Sequence, residues 1–98
     1  MKVLLKKVNE KPVITDIPNE LQSFQDLVGG YIEVVRTGIG NTIMVCDEEG
    51  KINQKPVNFI TSHEVIVGDV CFCSTGGEDF TDITEEQANE IIKRYFSE

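Results

Sequence analysis

The chain has 98 residues, of which 40% are hydrophobic and 27% charged, and this composition is typical of one small folded domain over residues 1–98 and excludes a second hydrophobic core. Its 17 acidic and 9 basic residues give a formal net charge of -8, which argues against direct nucleic-acid binding because phosphate neutralisation requires clustered lysine and arginine. The chain lacks an apolar run of the roughly 18 residues that cross a membrane, and it lacks a signal-peptide core. Its 3 cysteines cannot all pair with one another. We therefore expect a cytoplasmic protein that does not bind membranes.

The first half of the chain has the pattern of two hairpins separated by a short helix. Asn19 is the expected helix N-cap, because its side-chain oxygen can accept a backbone N–H of the first turn. Gly29 is the expected end, because glycine adopts the left-handed conformation without a Cβ penalty. The segment 38–40 (GIG) lacks the third glycine of a dinucleotide-binding loop, so it is interpreted as a hairpin turn. The predicted strands cover 2–7, 12–17, 31–36 and 42–46.

The second half contains the most β-prone segment and a helix with a well-marked start. Residues 65–73 are mostly apolar on both alternating faces, which predicts one continuous central strand. A glycine-containing loop is expected over 74–79. Thr84 and Gln87 form a capping-box pattern that begins the last helix. The predicted fold class is therefore α+β, with an antiparallel or mixed sheet of about five strands in the order ββαββββα and both helices on one face of the sheet.

The residues that could carry cysteine or metal chemistry are the only histidine, His63, and the three cysteines. A thiol–histidine nucleophile would use the imidazole as a base, and a zinc site would need four such ligands. Cys71 and Cys73 are separated by one residue, whereas zinc knuckles use two to four, and Cys46 is distant in sequence. The cysteines are therefore interpreted as small core residues. We predict no catalytic residue, no metal and no cofactor, and a cysteine- or zinc-dependent enzyme stays the third hypothesis.

The negative charge is concentrated near the C-terminus. Residues 1–58 carry 7 bases and 8 acids, whereas residues 59–98 carry 2 bases and 9 acids. Such a cluster is either a solvated face or a docking surface for a basic partner, whose complementary potential would speed association. The leading hypothesis is a non-enzymatic interaction module that binds a host protein with a basic surface through the acidic C-terminal surface, defined as Glu78, Asp79, Asp82, Glu85, Glu86 and Glu90.

Four sequence blocks carry a resemblance to a known family. They are LVGGYIEVV at 27–35, MVCDEEGK at 44–51, P-x-N at 56–58 and IVGDV at 66–70. In this order, and over most of the chain, they resemble the family called domain of unknown function 3846, small proteins of bacteria, their phages and other mobile elements. The resemblance implies a compact α+β domain, an accessory gene of a phage or mobile element, and a cytoplasmic site of action in a bacterial host. It supplies no catalytic residues.

A second hypothesis, of a different class, is binding or sequestration of a small nucleotide-like ligand. Its candidate pocket residues are Tyr31, Glu33, Asn58 and His63, which are polar side chains within or near the resembling blocks. Asn58 follows Pro56 and has apolar neighbours, so its amide either ties down the loop backbone or faces a ligand. A sheet built from these β-rich runs can have an exposed edge strand, which could pair with a second copy of the chain. The expected state is therefore a monomer or an edge-paired homodimer.

Overall fold

A computed structural model describes residues 1–96 of the chain and shows an antiparallel sheet with one helix on each face. The helices are α1 (Leu21–Val28) and α2 (Glu85–Ile91), and a π-helical turn over Ile92–Phe96 continues α2. The strands are β1 (Lys2–Lys6), β2 (Val13–Asp16), β3 (Ile32–Arg36), β4 (Thr42–Asp47), β5 (Val57–Ile60), β6 (Val65–Val67), β7 (Val70–Gly76) and β8 (Asp79–Thr81). The predicted α+β class with an antiparallel sheet and two helices is confirmed.

The main sheet has six strands, and β7 lies at its centre. Its order is β2-β1-β7-β4-β3, and β8 pairs with the end of β7 beyond β1. Both predicted hairpins form: Leu4 of β1 faces Ile14 of β2, and Val34 of β3 faces Val45 of β4. Strands β5 and β6 form a separate two-stranded sheet, called here the β5–β6 arm, with the connecting residues 61–64. The arm leaves the main sheet just before β7 begins.

The two helices lie on opposite faces of the main sheet, so the prediction of both on one face is wrong. Successive residues of β7 point to opposite faces. Phe72 packs with Ile91 of α2, whereas Cys71 packs with Phe24 of α1. Both faces of the central strand are apolar, so each face must pack against another element. One helix packs on each face.

Gly68 divides the segment that was predicted as one strand over 65–73. Its φ of +73° is a left-handed conformation that glycine adopts without a Cβ penalty, and it separates β6 from β7. The predicted loop over 74–79 is instead the end of β7 and the turn into β8. Thr84 and Gln87 form the expected capping box. Asn19 does not cap α1, because the helix begins at Leu21 and Glu20 occupies the N-cap without a side-chain bond.

Helix α1 ends at Gly29 in the predicted left-handed conformation, with φ of +76°. An ion pair between the partly exposed Lys55 and the buried Asp47 fixes this end. Lys55 Nζ lies 2.5 Å from Asp47 Oδ2 and donates to the carbonyl of Val28 at 2.7 Å. A Cβ at Gly30 would lie 2.7 Å from Asp47 Oδ1, so only glycine leaves room for this carboxylate. The pair therefore ties together the end of α1, the end of β4 and the segment that leads into the arm.

Candidate ligand-binding cleft

A cavity of about 510 Å³ lies between the main sheet, the β5–β6 arm and the C-terminal turn. We call it the arginine cleft. Its volume falls in the range of small-molecule sites, roughly 300–1,000 Å³. Residues 35–37 of β3 and its turn form one wall, residues 59–64 of the arm form another, and Arg94 with Tyr95 forms the third. The apolar floor consists of Val35, Met44, Phe59, Ile66 and Phe72.

Few side chains that can carry positive charge occur in this acidic chain, and some of them line the cleft. Its only two arginines, Arg36 and Arg94, both line this cavity, and so does its only histidine, His63. Neither arginine forms a salt bridge with an acidic side chain within residues 1–96. The acid on the rim, Glu64, lies 3.5 Å from Lys51 Nζ, so its charge is partly compensated. Within the described residues, the Arg94 side chain at the cleft therefore has no acidic partner.

Contacts with the β3–β4 turn hold the C-terminal turn at one end of the cleft. The hydroxyl of Tyr95 donates to the carbonyl of Thr37 at 3.3 Å. Arg94 Nη1 lies 3.8 Å from the position that a Cβ on Gly38 would occupy. Arg94 therefore lies at this end of the cavity, whereas the pairing of Arg36 with Ile43 places the Arg36 side chain on the opposite face of the sheet.

Aromatic rings form the wall and floor beside the arginines. The rings of Phe72 and Tyr95 are nearly parallel, with 20° between their planes and centroids 6.1 Å apart. Phe59 of the arm lies 5.8 Å from Tyr95 and meets Phe96 edge to face at 4.8 Å. Such ring clusters bury a large apolar area and keep their geometry. Phe72 is fully buried, whereas Phe59 and Tyr95 are partly exposed and can contact a planar ligand group.

The arm is anchored by Asn58 through three hydrogen bonds. Its Nδ2 donates to the carbonyls of Lys6 and Gly68, each at 2.8 Å, and its Oδ1 accepts from Lys6 Nζ at 2.9 Å. Lys6 is only 8% exposed, and its ammonium also lies 5.7 Å from the Phe96 ring centroid. Burial lowers the pKa of Lys6, although the carboxylate of Asp69 opposes this shift. The Asn58 amide therefore ties down the backbone, one of its two predicted roles.

The four candidate pocket residues do not meet in one cavity. His63 lines the arginine cleft. Tyr31 is 67% exposed and lines a shallow groove beside the end of α1. Glu33 lines a smaller cavity of about 250 Å³ on the other side of Ile66. The amide of Asn58 is engaged with the backbone. Only His63 is thus placed at the cleft, since the strand pairings that separate these residues are not visible in their sequence spacing.

The cysteines are buried on two faces of the sheet. Cys46 packs on the α2 face, whereas Cys71 and Cys73 pack on the α1 face. Burial, with the nearby carboxylate of Glu33, raises the pKa of Cys46 to about 11, and burial raises the pKa of Cys73 to about 12. Burial also raises the pKa of Cys71. Within residues 1–96, histidine, cysteine and acidic side chains form no group of three that could hold a metal ion.

The acidic C-terminal surface is exposed at all six of its residues. Its members occupy two places: the β7–β8 hairpin, and α2 with the residues before it. Asp82 accepts a hydrogen bond from the backbone N–H of Lys2 at 2.8 Å, which leaves the other five without a described side-chain partner. A shallow groove on α2 is lined by Glu85, Glu86, Asn89, Glu90 and Lys93.

The comparisons with known proteins give a family and no characterised relative. The model of the family described as "Domain of unknown function (DUF3846)" matches residues 1–96. The chain belongs to this family. No curated protein and no solved structure matches it. None of the helices within the described part of this DUF3846 chain is long and apolar enough to cross a membrane.

The arginines of this DUF3846 chain were not among the predicted site residues. Arg36 lies at the end of a predicted strand, and Arg94 lies near the end of the predicted last helix. The only signal for them in the sequence is their rarity, because the chain has seven lysines but only two arginines and one histidine. The placement of Arg94 depends on the C-terminal turn. Its contact with the β3–β4 turn brings together residues 58 positions apart.

Proposed function

We propose that the protein binds a small anionic, nucleotide-like ligand in the arginine cleft. The observation that carries the proposal is that Arg94, in a chain with net charge -8, lines a cavity with an apolar floor and is not paired with an acid within residues 1–96. An arginine near an acidic surface ordinarily gains by ion pairing. A guanidinium group that has no acidic partner within residues 1–96 and lies beside an apolar floor favours an incoming anion, which it binds through charge-assisted hydrogen bonds.

The shape of the cleft supports a ligand with two chemically different ends. Ligand sites combine a mostly apolar lining with a few polar groups that fix orientation. Here Phe59 and Tyr95 offer ring surfaces, while Arg94 offers positive charge. The hydroxyls of Thr61 and Ser62 also line the cavity and can bond sugar-like hydroxyls. This combination matches a planar ring joined to an acidic group.

A thermal-shift screen with matched variants tests the proposal. The ligands are nucleotides, nucleosides and small organic anions, and the proteins are the wild type, Arg36→Gln, Arg94→Gln and the control Lys93→Gln. Lys93 is adjacent to Arg94 but lines the α2 groove instead of the cleft. A ligand at 100 times its Kd adds about 2.7 kcal/mol of stability, which raises the Tm of a domain of this size by roughly 10 °C or more.

We expect at least one nucleotide or other anion to stabilise the wild type and the Lys93→Gln control equally. Arg94→Gln should lose most of the shift, because its charge-assisted bonds to the anion are gone, whereas Arg36→Gln should keep it, because the Arg36 side chain lies on the opposite face of the sheet. Equal shifts in Arg94→Gln and Lys93→Gln would show that the ligand binds elsewhere. The absence of any shift across the anions would contradict the proposal.

The second candidate function is binding of a host protein with a basic surface, through the acidic C-terminal surface. The observation in its favour is the exposure of all six acids, together with the groove on α2 that Glu85, Glu86 and Glu90 line. On this proposal the protein is a non-enzymatic accessory factor of a phage or mobile element that acts in the bacterial cytoplasm. Complementary potentials would raise its association rate at low salt.

Charge reversal tests the second candidate. The variant carries lysine at Glu78, Asp79, Glu85 and Glu86, and the control carries lysine at four exposed acids of the N-terminal half, namely Glu10, Asp16, Glu20 and Asp26. Both variants change the net charge equally. Capture of one host protein by the wild type and the control, but not by the C-terminal variant, supports the surface. Equal capture by both variants would contradict it, and circular dichroism checks that each variant is folded.

A further inference from the structure

We infer that a second copy of this chain pairs edge to edge with β3 (Ile32–Arg36), so that two main sheets join into one antiparallel sheet across a two-fold axis. The pairing uses the backbone of the sheet edge and the side chain of Arg36. It is independent of any ligand in the arginine cleft, and it does not involve the acidic C-terminal surface.

Alternation along the β3–β4 ladder shows which backbone groups of β3 point away from the sheet. In an antiparallel pair, every second residue of a strand bonds to its neighbour and the residues between them bond on the other side. The N–H of Thr37 donates to the carbonyl of Thr42 at 3.4 Å, and the carbonyl of Tyr31 accepts from the N–H of Glu48 at 2.9 Å. Both pairs are in register with the ladder. The odd-numbered residues therefore bond to β4, and the even-numbered ones point outward.

The outward groups belong to Ile32, Val34 and Arg36. β3 is the last strand of the main sheet, and within residues 1–96 no backbone hydrogen bond of a turn or loop reaches these three residues. The edge thus presents three N–H groups and three carbonyls to another strand. Val34 is also 46% exposed, which is a large fraction for an apolar side chain in a strand. Such an open edge is a template for strand pairing between chains.

The opposite edge of the main sheet, β2, is protected against such pairing. The strand has four residues, and its ladder with β1 directs only Ile14 and Asp16 outward. Pro12 and Pro18 lie on either side of the strand, and neither has an N–H to donate. Short strands and flanking prolines are devices that blunt sheet edges. The free edge of β3 lacks both prolines and a comparable interruption, so it is the edge available to a second copy.

The pairing has one favourable register, centred on Val34. Each Val34 then bonds to its equivalent, and Ile32 of each copy bonds to Arg36 of the other, so all the outward groups are satisfied. A pairing centred on Glu33 would place two glutamates directly opposite each other, which is destabilising. A pairing centred on Val35 would engage fewer of the outward groups, because the chain turns after Arg36.

Charge complementarity argues that the partner is a second copy. The pairing of Arg36 with Ile43 places the Arg36 side chain on the α1 face, and it has no acidic partner within residues 1–96. In the dimer Arg36 lies opposite Ile32 of the second copy. Gly30, the diagonal neighbour at about 7–8 Å, is within reach of a long side chain.

Gly30 and Asp26 both line the groove beside the end of α1. The last turn of α1 contains no basic residue, and Asp26 forms no salt bridge within the described residues. A cation is favoured at the negative end of a helix dipole. Arg36 of each copy therefore supplies the positive charge that the α1 groove of the other copy lacks, and the two-fold axis repeats the contact.

Sedimentation equilibrium tests the inference on the full chain without ligand. An interface of this size is weak, so the protein is studied from about 10 µM to about 1 mM. We expect the average mass to rise from the 11.0 kDa of one chain towards twice that value. Val34→Pro removes an outward N–H but keeps the ladder with β4, and it should weaken dimerisation roughly tenfold or more. The matched control Ile14→Pro makes the same change on β2, where the side chain is 43% exposed, and it should leave dimerisation unchanged.

A charge exchange supplies a second, independent test. Arg36→Asp and Asp26→Arg should each weaken dimerisation, and the double variant should restore it, because the pair is re-formed with opposite sign. Circular dichroism checks that every variant is folded, and the charge variants decide the question if Val34→Pro does not fold.

Three results would overturn the inference. The first is a wild-type mass that stays at 11.0 kDa up to about 1 mM. The second is a dimer that Ile14→Pro dissociates and Val34→Pro does not. The third is a double charge variant that dimerises no better than either single variant. Each of these results leaves the proposed ligand binding in the arginine cleft standing.

Discussion

Replacing Asn58 with alanine removes the three hydrogen bonds that tie the β5–β6 arm to β1 and to the turn before β7. Two of them join neutral groups and contribute about 1 kcal/mol each, and the bond from the Lys6 ammonium contributes about 1.5 kcal/mol or more. Water can reach the half-buried Asn58 and replace part of this loss. We therefore expect the free energy of unfolding to fall by about 3 kcal/mol, which lowers the Tm by more than about 10 °C.

Urea denaturation measures this change as a shift in midpoint, with Asn53→Ala as the control because the Asn53 side chain is exposed. Asn58→Asp separates the bond from the Lys6 ammonium from the two bonds to carbonyls. An ionised aspartate still accepts from the Lys6 ammonium but cannot donate to the carbonyls of Lys6 and Gly68. It should lose at least about 2 kcal/mol. A loss below about 1 kcal/mol in Asn58→Ala, or one equal to that of the Asn53 control, would refute the anchoring role.

Three further predictions concern groups outside the cleft. Burial raises the pKa of Asp47, but hydrogen bonds from Lys55 and from a backbone N–H outweigh it, so the net pKa lies below the ordinary 3.8. The contribution of Asp47 to stability is then present above the unfolded pKa and lost as pH falls below about 4 through the folded pKa. Urea midpoints between pH 6 and pH 2.5 should therefore fall more steeply for the wild type than for Asp47→Asn, and parallel curves would contradict this. Because burial raises the pKa of Cys46 to about 11 and of Cys73 to about 12, iodoacetamide at pH 8 should alkylate the folded protein roughly 100-fold more slowly than the urea-unfolded chain; one rapidly alkylated thiol, identified by mass spectrometry, would reopen the cysteine-enzyme hypothesis. Thr84→Ala removes the cap that accepts the backbone N–H at the third helical position, and should destabilise the fold by about 1 kcal/mol in thermal melts; an unchanged Tm would show that packing alone sets the start of α2.

Caps, helix ends and hairpins were predictable from the sequence, because each is determined by the residues of one short segment. The capping box at Thr84, the helix end at Gly29 and both hairpins follow from side-chain bonding and turn preferences within a few residues. The faces covered by the helices were not predictable in this way. Both faces of β7 are apolar, so its alternation does not say which helix covers Phe72 and which covers Cys71.

The strand break at Gly68 and the residues of the cleft could not be predicted from hydrophobic periodicity. An isolated glycine in an apolar run is compatible with a continuous strand, and only the positive φ at Gly68 reveals where the arm separates from β7. The structural role of Asn58 was one of its two expected roles, because a polar residue among apolar neighbours needs a partner. The placement of Arg94 at the cleft depends on tertiary packing and has no local signature.

Mapping of a bound nucleotide by nuclear magnetic resonance tests the central claim most directly. Adenosine 5′-monophosphate is titrated into uniformly ¹⁵N-labelled protein, and backbone amide shifts are followed by residue. The arginine cleft predicts that the shifts concentrate at residues 35–37, 59–64 and 94–95, and that Arg94→Gln abolishes them. Shifts confined to the α2 groove that Glu85, Glu86 and Glu90 line, or no shifts at millimolar nucleotide, would contradict ligand binding in the cleft.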